Sequence, residues 1–125
     1  LELLFLPFRA KDRTHPGEYH SALRHSLGQA IATLLRGGYP DIHLASEIAS
    51  LSARTLQRRL AEEGLTYSRL VEQTRFNRAV CWLRDPTLKV VEIAAELGYR
   101  DAAHFTRAFK RWTGVSPRAF RLSNS

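Results

Sequence analysis

From Ser21 onward, apolar residues recur three and four positions apart, the spacing of amphipathic helices, and turn formers punctuate the pattern. Leu23, Leu27, Ile31 and Leu34/Leu35 share one face of a first helix, which Ser21 can cap and which runs to about Arg36. Gly37-Gly38 stops it and Tyr39-Pro40 confirms the break. Asp41 or His43 opens a short helix through about Ala49. Ser52 caps the next, with Leu56 and Leu60 inward, and Gly64 ends it. Thr66 caps a longer helix that reaches about Arg84, with Leu70/Val71, Ala79 and Trp82/Leu83 at helical spacing, and Asp85-Pro86 closes it. Val90, Ile93, Ala94 and Leu97 make a short amphipathic helix closed by Gly98. Asp101 caps a helix in which Phe105, Phe109 and Trp112 recur, and Gly114 stops it. Ser116-Pro117, an N-cap followed by Pro at the first helical position, opens a last helix to about Leu122. The pattern predicts an all-α fold of seven helices, joined by short connections and packed as neighbours.

The first twenty residues read differently. Leu1 to Phe8 suits a short strand ended by Pro7, and Arg9 to Glu18 is polar and rich in turn formers, as a linker is. We expect residues 1–20 to be the remnant of an upstream domain plus a connector, and residues 21–125 to form one compact domain. The chain of 125 residues contains no Met, so it is expected to be processed or cut from a longer protein. At 44% apolar and 25% charged, it has the composition of a soluble globular protein and not of a disordered one. The apolar run Leu3-Leu4-Phe5-Leu6 is too short to span a bilayer and follows no basic leader, so no membrane partner is expected.

Charge narrows the picture. Lys and Arg outnumber Asp and Glu by 19 to 12, a net charge of +7, and 16 of the 19 bases are Arg, whose planar fork suits phosphates and guanine edges. The last 27 residues carry Arg100, Arg107, Lys110, Arg111, Arg118 and Arg121 against one acid, Asp101, which points to a polyanionic partner. Cys81 is the sole cysteine, so an internal disulfide and a Cys-based zinc site are excluded. It sits between Val80 and Trp82 and is expected to be a buried small apolar residue. His15, His20 and His25 recur every five residues, which does not stack two on one helical face, and no metal site or other cofactor is expected.

Two segments share a design. Each is a short helix, a tight turn and a second helix with a polar side: residues 45–60 and residues 93–109. A small residue in the first helix (Ser46; Ala94) allows a close helix crossing. Four positions on comes the turn residue (Ser50; Gly98), and then an apolar residue that pins the second helix (Leu56, six later; Phe105, seven later). This is the grammar of the helix-turn-helix. The second turn is one residue longer, and Ser50 stands where Gly is usual. The helix between the copies, Tyr67 to Arg84, is about 27 Å long at 1.5 Å per residue. Successive turns of the major groove lie about 34 Å apart, so such a spacer suits two recognition helices on one side of a duplex.

About four-fifths of the chain, from Ser21 to Leu122, resembles the DNA-binding domain of AraC/XylS-type bacterial transcription regulators. The resemblance rests on Leu51-Ser52-Ala53-Arg54-Thr55-Leu56-Gln57-Arg58-Arg59-Leu60, on Ile93-Ala94-Ala95-Glu96-Leu97-Gly98-Tyr99, and on the run from Phe105 to Pro117. It implies two helix-turn-helix subdomains (about residues 44–64 and 90–113) joined by a linking helix (about 66–84). It implies promoter binding in the cytoplasm, and an upstream effector-sensing or dimerisation domain in the full-length protein.

In the first recognition helix, Ala53, Arg54, Gln57 and Arg58 lie on the polar face, opposite Leu56 and Leu60. Gln pairs with adenine and Arg with guanine, each bidentate contact giving roughly 1–3 kcal/mol of discrimination. Arg59 can instead pair with Glu62 or Glu63. In the second, the family's reading positions fall on Ala102, Ala103, His104 and Arg107. Two alanines cannot hydrogen-bond a base edge, although a methyl can touch thymine, so Arg107 and His104 are the expected readers, with Thr106 as a phosphate contact. Lys110 and Arg111 serve either phosphate or solubility, and Arg75 and Arg78 either ion pairs or the DNA backbone. Phe105, Phe109, Trp112 and Phe120 read as core. No nucleophilic constellation or phosphate-binding glycine loop is present, so no enzyme is expected. The rival reading is a helical module docking on RNA polymerase or on another regulator, which exposed apolar residues on the basic helices would favour.

Overall fold

The computed structural model describes residues 18–124. Within them seven α-helices follow one another: α1 (Glu18–Leu34), α2 (Ile42–Ile48), α3 (Ala53–Glu62), α4 (Tyr67–Leu83), α5 (Val90–Glu96), α6 (Ala102–Thr113) and α7 (Pro117–Ser123). Among the described residues there is no strand. The strand expected over Leu1 to Phe8, and most of the linker after it, lie outside the described residues.

Five of the predicted caps hold atom by atom; Ser21, expected to cap the first helix, lies inside it. Asp41, Ser52, Thr66, Asp101 and Ser116 each accept a hydrogen bond from a backbone N–H in the first turn of the following helix, at 2.9–3.2 Å. Each satisfies a donor that the helix leaves open, typically contributing about 1 kcal/mol. Helix α5 starts without such a residue. There the Glu92 carboxylate reaches back to accept from the Lys89 N–H at 2.8 Å. Two boundaries differ from the sequence pattern. Helix α1 starts at Glu18, three residues ahead of Ser21. Its far end tightens into a 3₁₀ turn, Leu35–Gly37.

The core is continuous. Leu27, Ile31 and Leu35 from the α1 side meet Ala45, Leu56 and Leu60, while Ile93, Leu97, Phe105 and Phe109 fill the other half. Helix α4 joins the two with Leu70, Val71, Phe76, Ala79 and Leu83. Phe109 is the hub of the second half: its ring lies 5.3–6.3 Å from those of Phe76, Phe105, Trp112 and Phe120. Burying each such side chain contributes roughly 1.5–3 kcal/mol. Phe76, which the helical spacing did not single out, is part of this cluster.

Cys81 is a correction: it is exposed, not buried. It stands two residues from both Ala79 and Leu83, which places it about 200° around α4 from the positions that face the core. Arg121 is a second correction. It does not extend the basic surface but staples α7 to the end of α4, donating from Nε to the Leu83 carbonyl at 2.8 Å and from Nη2 to that of Asp85 at 3.1 Å.

Candidate nucleic-acid interface

The two repeats fold into the same backbone turn. In the first, Ser50 N–H donates to the Glu47 carbonyl and Leu51 N–H to that of Ser46; in the second, Gly98 N–H donates to Ala95 and Tyr99 N–H to Ala94, all at 2.8–3.0 Å. The turn residue is left-handed in both, with φ of 61° at Ser50 and 87° at Gly98. Ser50 is the sole non-glycine with positive φ among the described residues. The small residues at the crossings, Ser46 and Ala94, are buried, and the Ser46 hydroxyl donates to the His43 carbonyl at 2.9 Å. One residue lies between turn and N-cap in the first copy and two in the second, so the one-residue difference in length is real.

Helix α3 buries Leu56 and Leu60 and turns Arg54, Gln57 and Arg58 to solvent, with Ala53 half-buried at its start. Arg58 Nη1 lies 3.2 Å from the Glu62 carboxylate, one turn on, with both side chains more than half exposed. Such a pair stabilises by about 0.3–0.5 kcal/mol, which a phosphate or base edge can readily replace. Glu63 pairs with Arg24 at 2.7 Å; the Glu63 side chain is only 1% exposed, and the bond fastens the end of α3 to α1.

Helix α6 buries Phe105, Ala108, Phe109 and Trp112 and exposes Ala103, Arg107, Lys110 and Arg111. Thr106 is half-buried, and Ala102 is half-buried against the core. His104 is half-buried at the first turn. Its Nδ1 donates to the Asp101 carboxylate at 2.8 Å, which leaves Nε2 as the ring atom available to a ligand. Hydrogen bonds from the His104 ring and from the His104 backbone hold the Asp101 carboxyl below the usual carboxylate range.

Arg75, which the sequence left between two roles, is structural. Its Nε donates to the Leu97 carbonyl at 2.9 Å, and its guanidinium stacks 4.3 Å from the Tyr99 ring centroid. The guanidinium of Arg78 lies 5.9 Å from the ring centroid of Trp82 on its own helix. What spacing rules missed are these contacts between distant segments: Arg75 to the second turn, Arg24 to Glu63, Arg121 to the end of α4. In sequence each is one more basic residue on a polar face.

Residues 45–123 match the family described as "Helix-turn-helix domain". The chain is 40% identical over 85 residues to the HTH-type transcriptional regulator VqsM of Pseudomonas aeruginosa, an alignment covering 68% of this chain and 26% of that protein. The chain thus spans about a quarter of the length of that curated relative. Its fold superposes on the DNA-binding domain of AdpA, whose crystal structure is in complex with a target DNA, with a TM-score of 0.61 and 26% identity, covering 78% of this chain and 90% of that one. A transcriptional regulator of Chromobacterium violaceum, described among AraC-type DNA-binding domain-containing proteins, shares the fold with a TM-score of 0.73 at 18% identity, covering 87% of this chain and 97% of that one. With a helix-turn-helix on either side of one linking helix and these likenesses over most of its length, the chain belongs to the AraC/XylS-type family of helix-turn-helix transcription regulators.

Proposed function

We propose that the domain places α3 and α6 in two successive major-groove segments on one side of a promoter duplex. Arg54, Gln57 and Arg58 read base edges in one segment, and Arg107 and His104 do so in the other. Ala53 and Ala103 offer methyl groups to thymine, and Thr106, Lys110 and Arg111 meet phosphates. A single chain then spans what a simple helix-turn-helix repressor reaches as a dimer. The observation that carries this reading is the repeated turn, which in both copies presents an amphipathic helix with its basic face outward. Helix α4 supports the spacing: its 17 residues extend about 26 Å.

Among the described residues, the exposed large apolar ones, Tyr39, Leu44, Ile48, Val91 and Leu122, lie on α2, α5, α7 and the loop after α1. None lies on α3 or α6, which favours a nucleic-acid partner for those two helices over a protein surface. No helix among the described residues is long and apolar enough to cross a membrane. In the full-length protein we place this domain after an effector-sensing or dimerisation domain, in a cytoplasmic regulator that can also meet RNA polymerase.

Selection of duplexes from a random library, followed by anisotropy titration of the selected site, tests the reading. Two half-site motifs about one helical turn apart are expected, together with affinity that falls steeply with salt, by a slope of about −0.9 per phosphate neutralised. Binding indifferent to salt, or a single short motif, overturns it.

A further inference from the structure

Besides sharing the core, the two halves of the domain meet at a small joint. On one side is the loop after α1, residues 35–40; on the other is the turn of the second helix-turn-helix, residues 97–99. Gly98 lies so close to the carbonyls of Leu35 and Gly38 that a Cβ there would strike both. One side chain crosses the joint from a third direction. Arg75, half-buried on α4, donates from Nε to the Leu97 carbonyl at 2.9 Å and from Nη2 to the Gly98 carbonyl at 3.4 Å. These carbonyls stand at the C-terminus of α5, where helix acceptors are left open and the dipole is negative. The same guanidinium lies 4.3 Å from the ring centroid of Tyr99, in the second half, and 5.6 Å from that of Tyr39, in the first. The Tyr67 hydroxyl, at the start of α4, donates to the Pro40 carbonyl at 2.9 Å and ties down the end of the loop. Beside the joint runs a cleft of about 230 Å³ whose lining includes Tyr39, Arg75 and Tyr99 together with the buried apolar residues Val71 and Trp112.

We infer that Arg75 is a positioning residue that sets the distance between the two DNA half-sites, acting as the pin of the joint between the subdomains. The inference rests on the two-groove reading above. Helix α3 is carried by the half that contains Tyr39 and Leu35, and α6 by the half that contains Gly98 and Tyr99. Adding or removing one base pair between half-sites moves one target by about 3.4 Å along the duplex and rotates it by roughly 35°. A pinned joint cannot follow that displacement, so either the DNA distorts or contacts are lost. With the pin removed, α4 and the shared core still join the halves, but the second turn is held less tightly against the loop after α1, and the penalty for a wrong spacing shrinks.

The test uses duplexes built from the library-selected site with the half-sites moved by one and two base pairs in either direction, and duplexes carrying one half-site alone. Wild-type protein, Arg75→Ala, Arg75→Lys and Tyr39→Ala are compared by anisotropy, with circular dichroism to check helicity. Wild-type affinity is expected to fall about tenfold or more for a one-base-pair change, and that of Arg75→Ala about threefold or less, while single half-sites are bound alike by both. Arg75→Lys keeps the charge but not the planar fork, and should behave as Arg75→Ala does. Tyr39, with 57% of its surface exposed, can be truncated without threat to the fold. Tyr39→Ala should broaden the spacing profile in the same direction, and it decides the matter if Arg75→Ala does not fold. A wild-type profile insensitive to spacing, unchanged profiles in the variants, or a wild-type profile restored by Lys would each overturn the role of Arg75 while leaving the DNA-binding reading intact. Wild-type protein that selects no duplex removes both.

Discussion

Gly98 and Leu35 meet backbone to backbone, so closely that Gly98 has no room for a Cβ against the Leu35 carbonyl oxygen. The turn of the second helix-turn-helix is therefore also a contact surface for the loop after α1. Glycine meets two demands there, a φ of 87° and a close approach, and neither neighbour is a side chain that can swing away. Gly98→Ala is expected to destabilise the domain by about 3 kcal/mol or more, the sum of left-handed strain and displaced backbone. A denaturant titration reads this directly.

Ser50 occupies the matching place in the first turn but has a left-handed φ of 61° without being glycine. Relieving the strain competes with the extra entropy of a glycine in the unfolded chain. Ser50→Gly is expected to be neutral or to stabilise by up to about 1 kcal/mol, the opposite sign to Gly98→Ala. The pair of melting temperatures checks both.

Arg58 and Arg121 are both arginines on helices, yet their fates should separate. Arg58→Ala is expected to relax preference at one base position by roughly 1–3 kcal/mol with little change in stability. Uniform weakening over all sequences would assign Arg58 to the phosphate backbone. Arg121→Ala removes charged hydrogen bonds to the Leu83 and Asp85 carbonyls. It should cost about 1.5–3 kcal/mol of stability and leave the sequence preference of the folded protein unchanged. Thermal melts and a binding-site selection on each variant make the distinction.

Acid should loosen the second recognition helix at its start. The Asp101 carboxylate caps α6 and accepts from His104, and these hydrogen bonds lower its pKa in the folded state. The stability they contribute is complete above the ordinary carboxylate pKa of about 3.9 and disappears as pH falls through the lowered folded value. Asp101→Asn keeps a capping oxygen but carries no charge. Its melting temperature should lie below that of the wild-type protein at pH 7, and the gap should close as the pH drops toward 3.

Features that depend on neighbours in sequence were legible. The five side-chain caps, the glycine after α6 and the repeated turn follow from local hydrogen bonding and backbone preference, and they appear where the residues place them. The outward positions of Arg54, Gln57, Arg58 and Arg107 follow from helical period once Leu56, Leu60, Phe105 and Phe109 are assigned inward. What was not legible depends on partners far along the chain. Arg75, Arg24 and Arg121 look like surface cations until the Leu97 carbonyl, Glu63 and the Leu83 carbonyl are brought to them by the fold. Cys81 was misplaced for a related reason: its apolar neighbours Val80 and Trp82 suggest burial, but α4 is lined by core on one side only at that level. Glu18 opens α1 before Ser21 because a serine can ride inside a helix as well as start one, and sequence alone does not choose.

The unbroken interior running through α4 has a corollary. The buried residues of α4 belong to one cluster with those of both halves, so cutting either half away would leave apolar surface of the other uncovered. On the two-groove reading, a change of specificity that spares this interior is therefore sought at the outward positions of α3 or α6.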